Sequence, residues 1–307
     1  MEDKIQVVVI GTIIKETVQY PDSQFGPVIG SPAAYSSVVM AAQGMRVGIV
    51  TYYGGDMPEI ISELDVLDHG GMLPYAYTTT NRLVYREDGT KYVQYLKSAP
   101  DIRFDDIPDE YLKADLFSVC PMNYEVELDM VERLCKLGKT IFVDLGGYGG
   151  ATSDVRHSVE TDYGKSVVGL LCKNAAIIKA SQEDLASIVP GKTVEEAAQY
   201  LVDAGAGVVV VTMGADGAMY RIGNGKPVYK KAFVPKSEMR DGALNFTGAG
   251  DSFGAGFLVS YIEDRDIEKA VVNGNATASL VVQCAGGCTY GRMPSRERVN
   301  LRLLTGE

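Results

Sequence analysis

A glycine-rich turn followed at once by an acid is the feature of this sequence that best predicts chemistry. The stretch Thr247-Gly248-Ala249-Gly250-Asp251 precedes Phe253 and Phe257, whose four-residue spacing predicts a helix that starts near Ala249. The first turn of a helix has unpaired N–H groups, and a run of small residues lets an anion approach them. The residues Gly248, Ala249 and Gly250 are therefore predicted to bind a phosphate group.

Asp251 is unusual in such a turn, because a carboxylate beside a phosphate is repelled unless it has a chemical task. Taking the proton from an attacking hydroxyl group is a task of this kind, and it makes Asp251 a candidate general base for phosphoryl transfer. The alternative is structural: the aspartate would cap a tightly packed helix and interact favourably with its dipole.

Two other stretches resemble part of a phosphate-binding motif but do not have its spacing. The stretches Gly138-Lys139-Thr140 and Gly191-Lys192-Thr193 look like the end of a P-loop. The earlier glycine that this motif needs is replaced by Arg133 in the first case and by Ala186 in the second. Neither stretch is therefore predicted to be a P-loop.

Short runs of β-branched residues alternate with amphipathic segments along the chain. Apolar residues at three- and four-residue spacing predict helices in 35–43, 125–137 and 194–203. Strands that alternate with helices predict an α/β fold with a central, mostly parallel sheet and helices on both faces. The predicted strands are 5–10, 47–52, 115–119, 140–143, 175–178 and 208–212.

One region departs from this alternation. Between Tyr75 and Leu96 the pattern becomes period-two and rich in tyrosine, around the turn Glu87-Asp88-Gly89-Thr90, and Asp-Gly is a strong hairpin signal. We predict a small β-sheet lid of residues 12–30 and 74–98 on a main domain of residues 1–11, 31–73 and 99–307. An antiparallel extension of the main sheet is the alternative.

The composition of the 307 residues excludes several classes of protein. Apolar residues make up 46%, enough for a core, and 29 Lys and Arg against 40 Asp and Glu give a net charge of −11, which argues against a nucleic-acid partner. No apolar run approaches the roughly 18 to 20 residues of a membrane span, and the first apolar run is predicted to be a strand rather than a signal peptide. The five cysteines show no CxxC spacing and indicate reduced thiols in a cytoplasmic protein.

The region from Thr247 to Gly256 resembles the C-terminal signature of the ribokinase-like (PfkB) carbohydrate kinases, commonly written D-T-x-G-A-G-D-x-F. Other landmarks of this family follow in the expected order over essentially the whole chain, so the resemblance does not depend on one motif. They are Gly30-Ser31-Pro32-Ala33-Ala34-Tyr35 with Gly44 and Gly55-Asp56, the stretch 178–184 where N-x-x-E is usual, Thr212-Met213-Gly214-Ala215-Asp216-Gly217, and Asn275-Ala276.

The resemblance implies a β lid over the acceptor site and transfer of the γ-phosphoryl group of ATP, with Mg²⁺, to a hydroxyl of a sugar or polyol. By position, Asp251 would be the general base, and the N–H groups of the stretch 248–250 would form the anion hole. Asp184 would act on Mg²⁺ through water. Glu16, Gly30 and Ser31 would lie at the acceptor.

The resemblance also implies a nucleotide side of the site. Thr212, Gly214 and Gly217 would shape the loop beside the nucleotide, and Asn275 would lie near the adenine. The structural alternatives are a plain turn after a strand for the loop, and a polar residue on a helix surface for Asn275. For Asp184 the alternative is an exposed acid at a helix start, and Lys179 is expected to be solvated at the end of a strand.

The sequence departs from the family pattern at several positions. Asn245 and Phe246 stand where the family has Asp and Thr, and because that Asp helps to hold a monovalent cation, activation by potassium is in doubt. Ser31 replaces the second glycine near the acceptor, and Ser181 replaces an Asn. Glu16 falls where a shorter acceptor-binding Asp is expected, which implies a shifted hydroxyl contact.

Three functions remain open at this point. The first is a kinase for a neutral sugar or polyol. The second is a nucleoside kinase, since a tyrosine-rich lid could stack a base. The third is a regulatory protein that senses nucleotides or sugars without catalysis. The lid tyrosines could instead bury an apolar face in a homodimer.

Overall fold

The computed structural model describes residues 4–87, 91–235, 245–283 and 287–306, and within them strands and helices alternate over most of the chain. The strands are β1 (Val7–Ile10), β2 (Ile14–Gln19), β3 (Gln24–Gly30), β4 (Val47–Gly54), β5 (Met72–Tyr75), β6 (Thr79–Tyr85), β7 (Lys91–Lys97), β8 (Leu116–Val119), β9 (Thr140–Asp144), β10 (Ile177–Ser181), β11 (Val208–Thr212), β12 (Ala218–Ile222) and β13 (Val228–Lys230). The helices are α1 (Pro32–Ala42), α2 (Pro58–Glu63), α3 (Leu128–Lys136), α4 (Asp162–Asn174), α5 (Gln182–Ile188), α6 (Val194–Asp203), α7 (Ala249–Asp264), α8 (Ile267–Val281) and α9 (Arg296–Thr305).

The larger of two sheets is mostly parallel. Its described strands lie in the order β13-β12-β11-β10-β9-β8-β1-β4-β5, and its two antiparallel pairs are β11–β12 and β12–β13. All six strands predicted from the sequence lie in this sheet, which confirms the predicted fold class. Strands β12 and β13 at one end of the sheet were not predicted, because neither has a β-branched run of the kind seen in β11.

Helices cover both faces of this sheet. Along β1, Val7 and Val9 are buried in one apolar cluster, while Val8 and Ile10 are buried in another, since alternate residues of a strand point to opposite faces. Each such buried side chain contributes about 1.5–3 kcal/mol to folding. The sheet is therefore fixed from both sides, and its strand ends can hold polar groups in place.

The second sheet is separate from the first. Its described strands lie in the order β3-β2-β6-β7, in which two antiparallel pairs are joined by the parallel pair of β2 and β6. The alternative of an extension of the main sheet is therefore wrong. We call this sheet the lid.

The lid strands fall within residues 12–30 and 74–98, but one predicted edge needs correction. Tyr75 was assigned to the hairpin, yet it ends β5, which pairs with β4 in the large sheet. A period-two pattern is shared by strands of both sheets, so it cannot tell which sheet a strand joins. The predicted turn lies mostly outside the described residues, since 88–90 are not described, and the strands on either side of it pair as a hairpin should.

One face of the lid packs on the main domain. Along β2 and β6 buried and half-buried residues alternate, and the buried set is Ile14, Glu16, Val18, Thr79, Asn81 and Leu83. The hydroxyls of Thr12 and Thr79 are hydrogen-bonded at 3.1 Å, and the Tyr95 hydroxyl donates to the Thr152 carbonyl at 3.3 Å. Tyr92 is exposed on the opposite face. The homodimer through the lid stays a prediction.

The cysteines agree with the predicted reduced thiols as far as they are described. Cys120, Cys172 and Cys288 are buried and Cys135 is partly buried, all of them free, while Cys284 lies outside the described residues. Burial raises the pKa of Cys120 to about 12, so this thiol is protonated at neutral pH. No helix in the described ranges has both the length and the apolar composition needed to cross a bilayer.

The start of α1 is strained at Ser31. Its side-chain oxygen accepts a hydrogen bond from the Ala34 N–H at 3.1 Å and so caps the helix. Its backbone has φ 108° and ψ 154°, a region that is almost confined to glycine because a Cβ is hindered there. The residue that replaces the family's glycine thus keeps a glycine conformation.

The variant Ser31→Gly should be more stable than the native protein by about 1 kcal/mol, because it releases strain of about 1–3 kcal/mol and gives up only a few tenths in capping. The matched variant Ser31→Ala keeps the strain and loses the cap, so its free energy of unfolding should fall by about 1 kcal/mol. Urea denaturation of the three proteins measures both changes. A glycine variant less stable than the alanine variant would show that Ser31 is not strained.

Candidate active site

Helix α7 starts at Ala249, as the spacing of its phenylalanines predicts. Gly248 precedes it in a left-handed conformation with φ 77°, so a residue without a Cβ suits this position. The aromatic rings of Phe253, Phe257 and Tyr261 follow one another along the helix with centroids 6.5 and 5.9 Å apart. The first turn of α7 therefore carries Asp251 behind a glycine-rich backbone.

Tyr35 of α1 packs directly against this turn. A Cβ placed on Gly248 would lie 2.4 Å from Cε1 of the Tyr35 ring, so no larger residue fits. Burial raises the pKa of Tyr35, and Cys288, Glu16 and Asp251 raise it further. The charges of the candidate base and of the candidate acceptor ligand therefore both act on this ring. The sequence analysis quoted Tyr35 in a motif but gave it no role.

Lys179 is buried beneath the same turn, which contradicts the expectation of a solvated lysine. Its Nζ lies 2.7 Å from Oδ2 of Asp144, and both side chains are less than a tenth exposed. A Cβ placed on Gly250 would be 3.4 Å from that Nζ. A buried cation thus lies next to the turn that is predicted to bind phosphate.

The charges around Lys179 keep it protonated. Burial lowers the pKa of Lys179, but nearby carboxylates outweigh it and raise this pKa above its ordinary value; in decreasing order they are Asp144, Asp251 and Asp184. The pKa of Asp144 is also raised, because its burial outweighs the opposing effect of the ammonium group. The site accordingly gathers one lysine and three acids within interaction distance.

Asp184 is buried, so the alternative of an exposed acid at a helix start is wrong. It forms a capping box with Ser181 at the start of α5: its Oδ2 accepts from the Ser181 N–H at 2.7 Å, and its own N–H donates to the Ser181 hydroxyl at 3.0 Å. Its Oδ1 accepts from the Ala151 N–H at 2.8 Å. Asp184 therefore ties α5 to the loop after β9, and its action on Mg²⁺ stays a prediction.

The predicted nucleotide residues come together at a different place. Thr212 ends β11, and Gly217 starts the return to β12 with φ 95° and no room for a Cβ, which would be 2.1 Å from the Lys230 carbonyl oxygen. Asn275 is buried rather than on a helix surface, and its Nδ2 donates to the carbonyls of Lys230 and Lys231, both at 3.1 Å. Gly214 turns through φ 58° with open space around it.

The predicted acceptor residues are in contact with one another. A Cβ placed on Gly30 would lie 2.9 Å from Oε1 of Glu16, so the glycine makes room for this longer acid. Glu16 is 5% exposed and lies on the lid face that packs on the main domain. Ser31 caps α1 with its hydroxyl. The three residues therefore lie where β3 leads from the lid into α1.

Glu125 was not predicted from the sequence, and it links the chain at Thr12, where the lid begins, to the main domain. Its carboxylate accepts hydrogen bonds from the N–H groups of Thr12, Met122 and Asn123 at 2.7–3.2 Å. Burial raises its pKa despite these bonds. No local motif marked this residue, because its partners are far apart in sequence or follow no standard turn spacing.

The turn also contacts the lid. Oδ1 of Asn245 accepts from the Thr247 N–H at 3.0 Å, and the Thr247 hydroxyl lies 3.5 Å from that of Tyr85 on β6. Tyr85 stacks on Tyr20 with centroids 5.0 Å apart. Asn245 therefore shapes the turn from the position where the family has an Asp, and the lid reaches the turn through one tyrosine.

Comparisons with known proteins agree with this architecture. The model of the pfkB family of carbohydrate kinases matches residues 153–295. A cytidine kinase of Thermococcus kodakarensis is 29% identical over 290 residues, which cover 91% of this chain and 96% of that protein. A nucleoside kinase of Methanocaldococcus jannaschii is 49% identical over 57 residues, 19% of this chain and 18% of that protein.

The fold is that of ribokinase. The structure of Arabidopsis thaliana ribokinase in complex with ribose and ATP superposes with a TM-score of 0.76 at 20% identity, over 99% of both chains. Residues 153–295 of this chain therefore match the pfkB-family carbohydrate kinase model, and the motifs of the sequence predict the same family. The family match and the ribokinase fold support an ATP-dependent carbohydrate kinase.

The variant Lys179→Met should lower the free energy of unfolding by about 3–5 kcal/mol, because it leaves the Asp144 carboxylate buried without its cation. The double variant Asp144→Leu, Lys179→Met should recover most of this loss, since apolar groups of similar size replace both charges. Urea denaturation measures both.

The matched control for this prediction is Lys4→Met, which breaks an exposed Lys–Asp pair with Asp115 at 3.0 Å. Its effect should stay within about 1 kcal/mol, because exposed ion pairs contribute little. A Lys179 variant as mild as the Lys4 variant would contradict the burial of this charge.

Proposed function

We propose that this protein transfers the γ-phosphoryl group of ATP to a hydroxyl of a neutral sugar or polyol, with Asp251 as the general base. One observation carries the proposal: Asp251 lies in the first turn of α7, whose glycines Gly248 and Gly250 lie against the Tyr35 ring and the buried Lys179 ammonium group. The anion and the acceptor would therefore meet at this carboxylate.

The reaction needs one proton transfer and one displacement. The Asp251 carboxylate takes the proton of the acceptor hydroxyl while that oxygen forms a bond to the γ-phosphorus. The bond between the γ-phosphorus and the bridging oxygen breaks, and ADP leaves with the electron pair. The N–H groups of Gly248, Ala249 and Gly250 stabilise the charge on the transferred group, in the manner of an anion hole.

Lys179 supplies the positive charge that this turn needs. A helix terminus carries only about half an elementary charge, whereas the ammonium group carries a full one and is held in place by Asp144. Because both groups are buried, their interaction with a phosphoryl group is weakly screened by solvent. Lys179 is a positioning and charge-balancing residue in this proposal.

Magnesium fits the acids that are present. When bound, Mg²⁺ neutralises charge on the phosphates of ATP, and it usually keeps several of its waters. Each Asp184 oxygen receives one backbone hydrogen bond here, and a carboxylate oxygen can accept a second contact, so Asp184 could hold a metal-bound water. The described residues contain no cluster of three or more potential metal ligands.

The nucleotide would lie beside the turn between β11 and β12. Thr212, Gly214 and Gly217 would shape its binding loop, and Asn275 would fix the backbone of Lys230 and Lys231 next to it. Through these two carbonyls, Asn275 would act near the adenine by positioning the chain rather than by direct contact. Activation by a monovalent cation stays open, because Asn245 uses its side-chain oxygen within the turn.

A nucleoside acceptor is the second candidate, and one comparison favours it. The relative named cytidine kinase matches 91% of this chain. On the lid, Tyr85 and Tyr95 lie on the face toward the main domain, where an aromatic ring could stack on a base. A panel of sugars, polyols and nucleosides, assayed for ADP release from Mg-ATP, distinguishes the two acceptor classes.

Asp251→Asn should reduce acceptor-dependent ADP release by about 10²–10⁴-fold, because general base catalysis is lost, while ATP binding stays close to that of the native protein. Steady-state assays and calorimetric titration with ATP measure the two properties.

The matched control is Asp264→Asn at the other end of α7, where the carboxylate pairs with Lys269 on the surface. This variant should keep native activity. Equal turnover of the Asp251 variant and the native protein would refute the catalytic role. ATP binding without turnover on any acceptor would instead favour the non-catalytic sensing protein.

A further inference from the structure

Asn81 on β6 has a buried side chain with unmet hydrogen-bonding capacity. The residue is fully buried, yet neither Oδ1 nor Nδ2 has a hydrogen-bond partner among the described residues. Buried polar atoms are nearly always paired, because an unpaired one loses its bonds to water without replacement. An amide left unpaired inside the lid therefore needs a reason.

The strand register places Asn81 in a polar row across the lid. It lies opposite Glu16 of β2 on one side and Tyr95 of β7 on the other. Residues that lie opposite one another in adjacent strands point to the same face of a sheet. The neighbouring row on this face is apolar and contains Val18 and Leu83. A polar row, Glu16–Asn81–Tyr95, therefore crosses this face beside an apolar row.

This row points toward the candidate active site. The Tyr95 hydroxyl donates to the Thr152 carbonyl in the main domain, and Glu16 lies against Gly30 at the start of α1. The charges of Glu16 and Asp251 both raise the pKa of Tyr35. Asn81 is thus the one member of the row whose hydrogen bonds are unassigned in the described part of the chain, and it lies beside the acid predicted to bind the acceptor.

We propose that Asn81 and Glu16 together bind two neighbouring hydroxyl groups of the acceptor, and that Asn81 determines specificity for such a diol. The inference rests on the proposed function and deepens it. A carboxylate can only accept hydrogen bonds, whereas the amide both donates from Nδ2 and accepts at Oδ1. The pair therefore matches two hydroxyl groups, each of which donates one bond and accepts another.

The chemical class of acceptor follows from this match. Neighbouring hydroxyl groups occur in polyols, in sugar rings and in the ribose of nucleosides, so the pair recognises what the candidate acceptors share. An acceptor that lacks one of the two hydroxyls leaves a polar group of the lid unpaired when it binds, and such sites discriminate strongly. Asn81 is a specificity-determining residue in this proposal, and Asp251 remains the base.

The test compares Asn81→Leu with the native protein on a diol acceptor and on its deoxy analogue. Asn81→Leu should lower kcat/KM for the diol by about 10- to 100-fold, mainly through KM. The native protein should prefer the diol over the analogue by a similar factor, and the variant should have lost that preference. Its Tm should equal or exceed the native value, since an apolar side chain of similar size replaces an unpaired amide.

The matched control is Gln94→Leu, which removes an exposed amide of β7 on the opposite face of the lid. It should change neither acceptor selectivity nor KM. An Asn81 variant that keeps the native preference for the diol would overturn the proposal and leave a trapped water as the partner of the amide. A variant with a lower Tm and unchanged selectivity would assign Asn81 a purely structural role.

A binding measurement separates this inference from the proposed function. If the native protein turns over no acceptor, the proposed function fails, and the increase in Tm caused by each diol of the panel still reports binding. An increase that Asn81→Leu abolishes and Gln94→Leu retains supports the diol site without catalysis. No increase with any diol in the native protein refutes both.

Discussion

The buried pair of Lys179 and Asp144 is the interaction on which the site depends. The two residues are direct partners in the parallel register of β10 and β9, so the sheet itself sets their contact. Taking both charges out of water is costly, and the pair is stable only because each group is held in good geometry. In return, the protein keeps a positive charge beneath the first turn of α7, beside Asp251 and Asp184.

Close packing connects the first turn of α7 to the residues that are proposed to bind the acceptor. Gly248 leaves room for the Tyr35 ring, and Gly30 leaves room for Glu16, so both glycines are required by what lies against them. Ser31 between Gly30 and α1 holds a backbone conformation that glycine would adopt more easily. Strain of this kind is typical of functional sites. The turn, α1 and the lid therefore form one continuous set of contacts around the proposed acceptor site.

The lid contributes selectivity rather than stability at its polar row. A row of Glu16, Asn81 and Tyr95 in a face otherwise rich in apolar residues weakens the packing of lid on main domain. The cost is offset if an acceptor supplies the missing hydrogen bonds.

The sequence by itself determined the features that are local. The alternation of strands and helices, the start of α7 at Ala249 and the acid in its first turn depend on periodicity and end signals within a few residues of chain. The order of the family motifs along the chain predicted which fold these elements form. Period-two patterning was ambiguous, and it placed Tyr75 in the lid although that residue ends a strand of the large sheet.

Only the tertiary structure decided the environment of each side chain. Burial of Lys179, the hydrogen bond from Ala151 to Asp184 and the contact of Tyr35 with Gly248 depend on residues tens to hundreds of positions apart. Whether a lysine is solvated or paired depends on strand register, and whether an asparagine is satisfied depends on every atom around it. Neither the burial of the lysine nor the hydrogen bonding of the asparagine can be predicted from residue spacing, because both depend on how the strands and the lid pack together.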